Sequence, residues 1–181
     1  MNLKTTRLLV LLIVSTFVYS CSSDDDSGNE PTGQNNEFSF NGQSYSLTTA
    51  WIYDENTTTN DPSEIGINLF NKTNSEINGI GNLNSINHIY FDFDDVNIQA
   101  TTYTQITDYD VSINGTRLNG VFDSGTVLLS DSDPQSNLYA SSGSVTINSV
   151  TENTVDLTFI FTRTDGKVIL GSYSGNYSIP Q

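Results

Sequence analysis

Residues 154–163 read TVDLTFIFTR, and the turn Thr164-Asp165-Gly166 separates them from a second alternating run, KVILGSYSGNYSI, at 167–179. Every second residue of the first run is large and apolar, at Val155, Leu157, Phe159 and Phe161. Side chains that alternate with period two point to opposite faces of a β-strand. The pattern therefore predicts a strand with one face in a core and the other largely exposed to solvent.

The segments on either side of this strand predict a three-stranded antiparallel meander. Residues 144–151 (SVTINSVT) precede it across Glu152-Asn153, and residues 167–179 follow it. Asp165-Gly166 is expected to supply the positive φ angles of a tight turn. The last strand places glycine between aromatic residues on one face. A neighbouring ring is expected to lie over that bare backbone and to fix the register.

The same alternation extends back to the start of the domain. Phe38 and Phe40 alternate before the hairpin dipeptide Asn41-Gly42, and alternation resumes over residues 45–53. Further strand candidates are 65–70, 87–93 and 118–130. The sequence therefore predicts one all-β domain over residues 37–181. Its expected form is an antiparallel β-sandwich or barrel-like fold of about 8–11 strands.

The first 20 residues have the layout of a secretory signal. Lys4 and Arg7 precede a short apolar run at 8–14, and the single cysteine of the chain, Cys21, follows. The apolar run is too short to span a bilayer. The layout resembles a bacterial lipoprotein signal. That resemblance implies that residues 1–20 are removed and that Cys21 becomes an N-terminus carrying acyl chains such as palmitate.

A polar segment separates Cys21 from the β-patterned region. Within residues 21–36, the stretch after the cysteine has no large apolar side chain and predicts a disordered tether. Asp24, Asp25 and Asp26 resemble the export signal that sends lipoproteins of the Bacteroidota to the outer face of the outer membrane. The alternative is that these acids only solvate the tether.

The β-patterned region also resembles a known group. Residues 38–47 (FSFNGQSYSL), Asp165-Gly166-Lys167 and 171–177 (GSYSGNY) are similar to segments of small, uncharacterised β-domain lipoproteins of the Bacteroidota. The resemblance implies a lipid-anchored protein of the outer membrane that faces the cell exterior. It carries over no functional residues.

The chain is strongly acidic, with six basic and 21 acidic residues and a formal net charge of −15. Removal of residues 1–20 takes away Lys4 and Arg7. Four basic residues then remain against the same 21 acidic ones, a net charge of −17. Such a charge repels phosphate backbones and anionic lipid surfaces, which excludes nucleic acid as a partner. Membrane attachment is therefore expected through the lipid on Cys21.

No catalytic motif is recognisable in the sequence. His88 is the single histidine and no Gly-x-Ser-x-Gly elbow accompanies it, so neither a hydrolase triad nor a zinc site is predicted. Calcium is the one possible cofactor. Asp108 and Asp110, followed by Ser112 and Asn114, echo alternating oxygen ligands but lack the glycine and glutamate of an EF-hand loop.

Aromatic residues provide the remaining candidate site. Rings exposed on a sheet face stack against sugars, and Trp51, Tyr173 and Tyr177 are the candidates here. The alternative is that these rings pack in the core. The preferred hypothesis is a non-enzymatic surface module that binds an extracellular glycan or a partner protein. A glycan hydrolase using two carboxylates and a structural envelope subunit without a small ligand are the alternatives.

Overall fold

The computed structural model describes residues 35–55, 61–132 and 134–180. The predicted signal peptide, Cys21 and the acidic run Asp24 to Asp26 lie outside the described residues. Twelve strands and one short helix, α1 (Asn74–Asn78), occur within them. The strands are β1 (Glu37–Phe40), β2 (Gln43–Ser46), β3 (Thr49–Asp54), β4 (Ser63–Phe70), β5 (Leu83–Asp95), β6 (Thr102–Tyr103), β7 (Asp108–Leu118), β8 (Val121–Asp123), β9 (Thr126–Ser130), β10 (Ala140–Val150), β11 (Thr154–Arg163) and β12 (Val168–Ser178).

The strands form one open sheet that is not closed into a barrel. Its order is β6-β10-β11-β12-β3-β4-β5-β7-β8, with β1 paired to β12 and β2, and β9 paired to β7. Described neighbours are antiparallel except β12 and β3, which pair in parallel through Tyr177 with Ala50 and Ser178 with Trp51. The all-β prediction is confirmed. The strand count exceeds the expected range because β6 and β8, of two and three residues, are too short to show an alternating pattern.

The sheet folds over so that two leaves share one core. The C-terminal leaf contains β6, β10, β11, β12, β1 and β2, and the central leaf contains β3, β4, β5, β7, β8 and β9. Phe91 of the central leaf lies with its ring centroid 5.8 Å from Phe159 and 6.3 Å from Phe161 of the C-terminal leaf. All three rings are almost completely buried. The inner faces of the two leaves therefore supply the core, and their outer faces are available for other roles.

The C-terminal meander has the predicted register. Val155, Leu157, Phe159 and Phe161 are buried, while the side chains between them are half-buried. A Cβ on Gly171 would lie 2.6 Å from the Phe159 ring, so the glycine does accommodate a ring against bare backbone. The prediction that both Asp165 and Gly166 have positive φ angles is wrong for Asp165. Of Asp165-Gly166, only Gly166 has a positive φ, at 80°.

The first hairpin also forms as predicted, because Asn41 and Gly42 adopt φ values of 51° and 76° and Phe40 pairs with Gln43. Helix α1 was not predicted. It begins with a capping box, in which the Thr73 hydroxyl accepts from the Glu76 N–H and the Glu76 carboxylate accepts from the Thr73 N–H. Ile77, its one buried residue, packs with Phe70 and Ile86 against the outer face of the central leaf. This placement creates a concave surface there.

Candidate functional site

A cavity of about 380 Å³ opens on the outer face of the central leaf, beside α1. We call it the outer-face cavity. Its size lies within the range typical of small-molecule sites. Strands β3, β4, β5, β7 and β8, the helix and the segment after β8 all contribute to it. The lining residues are Trp51, Asn68, Phe70, Ile77, Ile86, His88, Ser112, Gly115, Phe122, Asp123 and Ser124.

The polar part of the lining comes from three successive strands. Asn68 lies on β4, His88 on β5 and Ser112 on β7, and His88 pairs with Ser112 in the ladder. His88 Nε2 lies 2.8 Å from Asn68 Oδ1. An amide oxygen only accepts, so Nε2 carries the hydrogen. Burial lowers the pKa of His88 to about 4, and the ring is therefore neutral at physiological pH.

Two aromatic rings pack against each other along one side of the cavity. Trp51 meets Phe70 edge-on with centroids 5.1 Å apart, and Phe70 stacks on the His88 ring at 4.6 Å. The indole Nε1 of Trp51 donates to Asn74 Oδ1 on α1 at 2.9 Å. These contacts fix the Trp51 ring at the edge of the cavity while the residue stays partly exposed.

Arg117 joins α1 and the segment after it to strands β7 and β8 beside the cavity. It is 4% exposed, and its guanidinium donates to the carbonyl oxygens of Ile77 at 2.6 Å, Glu76 at 2.8 Å and Gly81 at 2.8 and 3.0 Å. Backbone carbonyls thereby satisfy a buried cation at the end of α1. Its Cζ also lies 5.4 Å from the Phe122 ring centroid. One side chain thus connects the helix segment to β8.

Exposed apolar side chains are concentrated on two loops, one after α1 and one between β7 and β8. Ile80 follows α1 and is 97% exposed, while Leu118, Val121 and Phe122 flank the β7–β8 turn and are 50–70% exposed. The two loops contact each other, because the Asn119 N–H donates to Asn82 Oδ1 at 2.9 Å. Four of the five large exposed hydrophobic residues of the described chain therefore lie on or beside these two loops, and Phe122 is the one of the four that lines the cavity. Such a concentration is typical of a binding surface.

The three predicted aromatic residues do not come together. Trp51 lines the outer-face cavity. Tyr173 is 2% exposed, and its hydroxyl donates to the Asn176 carbonyl at 2.7 Å. Tyr177 is half-buried against the main core and donates to the Thr151 carbonyl at 3.1 Å. Tyr173 and Tyr177 therefore take the packing role that was the alternative for these rings, and Trp51 alone faces a cavity.

The calcium candidates Asp108 and Asp110 lie on β7, close to other carboxylates. Burial raises the pKa of Asp108 to about 6, with further contributions from its hydrogen bond to Asp131 and from Asp92. Burial, together with Asp131, also raises the pKa of Asp110. Among the described residues, no group of three or more His, Cys, Asp and Glu side chains is arranged to hold a metal ion.

A hydrogen-bonded network covers the outer face next to these acids. The Tyr90 hydroxyl donates to Asp92 at 2.6 Å and lies 2.8 Å from the Tyr53 hydroxyl, and Thr107 also donates to Asp92. Burial and the bond to Asp92 raise the pKa of Tyr90 above its usual range. Asp92 is 2% exposed, so the network satisfies a buried carboxylate rather than presenting it to solvent.

Sequence reasoning missed Asn68, Arg117 and Phe122, and it considered His88 and Ser112 only for other chemistry. Two local signals were available for their surroundings. Thr73 and Glu76 have the spacing of a capping box, and Asn119-Gly120 is a hairpin dipeptide whose residues adopt φ values of 53° and 80°. Neither signal indicates that α1 and β8 meet over one cavity, because that depends on the long-range contact through Arg117.

Comparison with known proteins gives no relative: no family model, no curated protein and no solved structure matches the chain. Within the part of the chain that the structure describes, no helix has the length and apolar character needed to cross a bilayer. Fold and site together define an all-β domain with a partly aromatic cavity on the outside of its sheet.

Proposed function

We propose that this protein is a lipid-anchored, non-enzymatic binding module on the outer surface of the outer membrane, and that it binds a neutral glycan in the outer-face cavity. The anchor is supported by the order of basic residues, apolar run and Cys21 at the start of the chain. Cell-surface display is supported by the resemblance of Asp24, Asp25 and Asp26 to an export signal.

The chemistry of the cavity carries the glycan part of the proposal. A sugar ring has apolar C–H faces and a rim of hydroxyl groups. Trp51 and Phe122 offer rings for the faces, and Asn68, His88 and Ser112 offer neutral hydrogen-bonding groups for the hydroxyls. A neutral ligand also suits the strongly acidic chain, which repels phosphorylated or carboxylated molecules.

Binding without turnover is the direct test. The mature chain carrying Cys21→Ser, which removes the lipid, is applied to an array of neutral oligosaccharides built from glucose, mannose and xylose. We expect binding to at least one series, and we expect Trp51→Ala to weaken it by tenfold or more. Tyr177→Phe is the matched control, because it alters an aromatic residue outside the cavity. Equal binding by Trp51→Ala and the unaltered chain would exclude the cavity as the site.

The hydrolase alternative is tested in the same experiment by release of shorter products. Asp108 has the raised pKa of a general acid, and its neighbour Asp131 contributes to that rise. Glycosidases use two carboxyl groups held about 5–5.5 Å or 6.5–9.5 Å apart. Product release that Asp108→Asn abolishes would replace the binding proposal with the hydrolase.

The anchor is tested separately from the ligand. We expect the full-length chain to incorporate a labelled fatty-acid precursor and to fractionate with membranes, and we expect Cys21→Ser to lose both properties because the acidic domain repels anionic lipid. Replacing Asp24, Asp25 and Asp26 by alanine should keep the label and reduce cleavage by external protease. A Cys21→Ser protein that stays in the membrane fraction would contradict the lipoprotein assignment.

A further inference from the structure

The outer-face cavity is bounded by aromatic residues at two distant places. Trp51 lies on β3 and Phe122 on β8, and the ladder order β3-β4-β5-β7-β8 separates them by four strand-to-strand steps. At a spacing of about 4.8 Å per step, the path along the ladder between the two backbones is about 19 Å, which is the upper limit of their separation in a twisted sheet. Both side chains nevertheless line the same cavity. The cavity therefore extends across five strands of the sheet.

The floor between the two rings has one polar group on each intervening strand. Asn68 is contributed by β4, His88 by β5 and Ser112 by β7. Neighbouring strands of a sheet present such groups at regular intervals. Across the strands, the three polar groups therefore lie between the Trp51 ring at one end of the cavity and the Phe122 ring at the other.

The two rings differ in how they are held and exposed. Trp51 is tied to Asn74 and packs on Phe70, so it is a fixed and partly covered surface. Phe122 is 55% exposed on a three-residue strand and has Arg117 against its ring. A ligand that reached only Trp51 would leave Phe122 in water. A longer ligand would cover both rings and bury more apolar surface.

We propose that the outer-face cavity binds a linear oligosaccharide that lies across the strands, with one sugar unit on Trp51 and another on Phe122, rather than a single sugar. The proposal rests on the proposed function, because it specifies the ligand of the same site. It assigns Trp51 to a primary subsite and Phe122 to a distal subsite. Length, and not only the identity of the sugar, then determines affinity.

Isothermal titration with each array-positive series, from one to six sugar units, tests the proposal. We expect affinity to rise with length and then to level off once both rings are covered. Trp51→Ala should weaken binding at every length. Phe122→Ala should weaken binding of the longest members about tenfold and leave the shortest bound members unchanged. Phe122→Tyr, which keeps the ring, should restore affinity, and Val121→Ala is the control at an adjacent exposed position.

The outcomes separate this inference from the proposed function. A single sugar that binds as tightly as the six-unit chain would overturn the two-ended site while leaving glycan binding intact. An equal effect of Phe122→Ala at all lengths, or no effect at any length, would do the same. Failure of every series to bind would overturn both proposals. Phe122 and Val121 are exposed, so their variants are expected to fold, and circular dichroism checks this directly.

Discussion

The two faces of β5 differ in chemistry: the inner face carries apolar side chains, and the outer face carries hydrogen-bonded polar side chains. On the inner face, Phe91 is completely buried and packs near the rings of Phe159 and Phe161. On the outer face, His88 bonds to Asn68, and Asp92 accepts hydrogen bonds from two hydroxyl groups. The inner face is specified by apolar character alone. The outer face depends on particular donors and acceptors, some of which, such as Asn68 and Thr107, come from other segments of the chain.

This difference predicts how each face responds to substitution. Loss of a core ring removes apolar burial and leaves a void, so the whole domain should lose stability. Loss of one group on the outer face leaves the core intact but releases the partners of that group. Stability should then fall less, while the geometry of the cavity should change more.

The largest effect is expected from Phe159→Ala on the inner face of β11. Phe159 is 1% exposed, and its ring also covers the bare backbone of Gly171. We expect the free energy of unfolding to fall by about 3–5 kcal/mol, a large share of the total of about 5–15 kcal/mol for a domain. Urea denaturation followed by tryptophan fluorescence or circular dichroism measures the change.

The neighbouring residue gives the matched control. Thr158 lies on the opposite face of the same strand and is half-buried, so Thr158→Ala should cost well under about 1 kcal/mol. Similar costs at Thr158 and Phe159 would mean that the two faces of this strand do not differ as described.

Most of the inner face could be predicted because period two is a local property of the sequence. The alternation from Val155 to Phe161 predicts both the strand and its buried face. The dipeptides Asn41-Gly42 and Asp165-Gly166 predict turns. The path of the sheet could not be predicted in the same way. The parallel contact of Tyr177 with Ala50 joins segments more than 120 residues apart, and no local pattern encodes such a pairing.

A smaller loss of stability, with a specific loss of binding, is expected from Arg117→Met. The substitution keeps the apolar stem but leaves the carbonyls of Glu76, Ile77 and Gly81 without their buried donor. We expect about 2–3 kcal/mol of destabilisation, since hydrogen bonds to a charged group each contribute about 1.5–3 kcal/mol and do not add fully. Hydrogen exchange should increase first in α1 and the segment after it.

Arg117→Lys separates charge from geometry. Lysine keeps the positive charge but lacks the planar fork that reaches several carbonyls at once, so it should restore only part of the stability. Glycan binding by the Met variant should fall together with protection of α1. Unchanged protection of residues 74–82 in Arg117→Met would show that this side chain does not hold the cavity wall.

The outer-face cavity could be predicted only in part, for a related reason. Trp51 was predicted as an aromatic candidate on an alternating strand, whereas His88 was considered only for a catalytic triad or a zinc site and was given no role. Asn68 and Ser112 are common residues whose roles arise only when β4, β5 and β7 become neighbours. Tyr173 was a candidate by residue type, but it lies on the buried face of the last strand together with Ile169 and Gly171.

The smallest expected effect is a pH dependence that belongs to the outer face alone. The pKa of His88 is lowered to about 4 by burial, whereas an unfolded histidine titrates near 6.5. Between these values the unfolded chain binds a proton that the folded chain does not, so acidification from about pH 6.5 to 4 should destabilise the protein.

His88→Gln has no titrating group at this position, and the difference in unfolding free energy between wild type and variant isolates the effect. We expect that difference to shift by about 2–2.5 kcal/mol against the wild type between pH 7 and pH 4.5. Phe159→Ala, on the inner face, should show the pH dependence of the wild type. A difference between wild type and His88→Gln that stays constant over this range would mean that the histidine is not shielded from water in the folded domain, and the contrast between the two faces of β5 would then be weaker than the packing indicates.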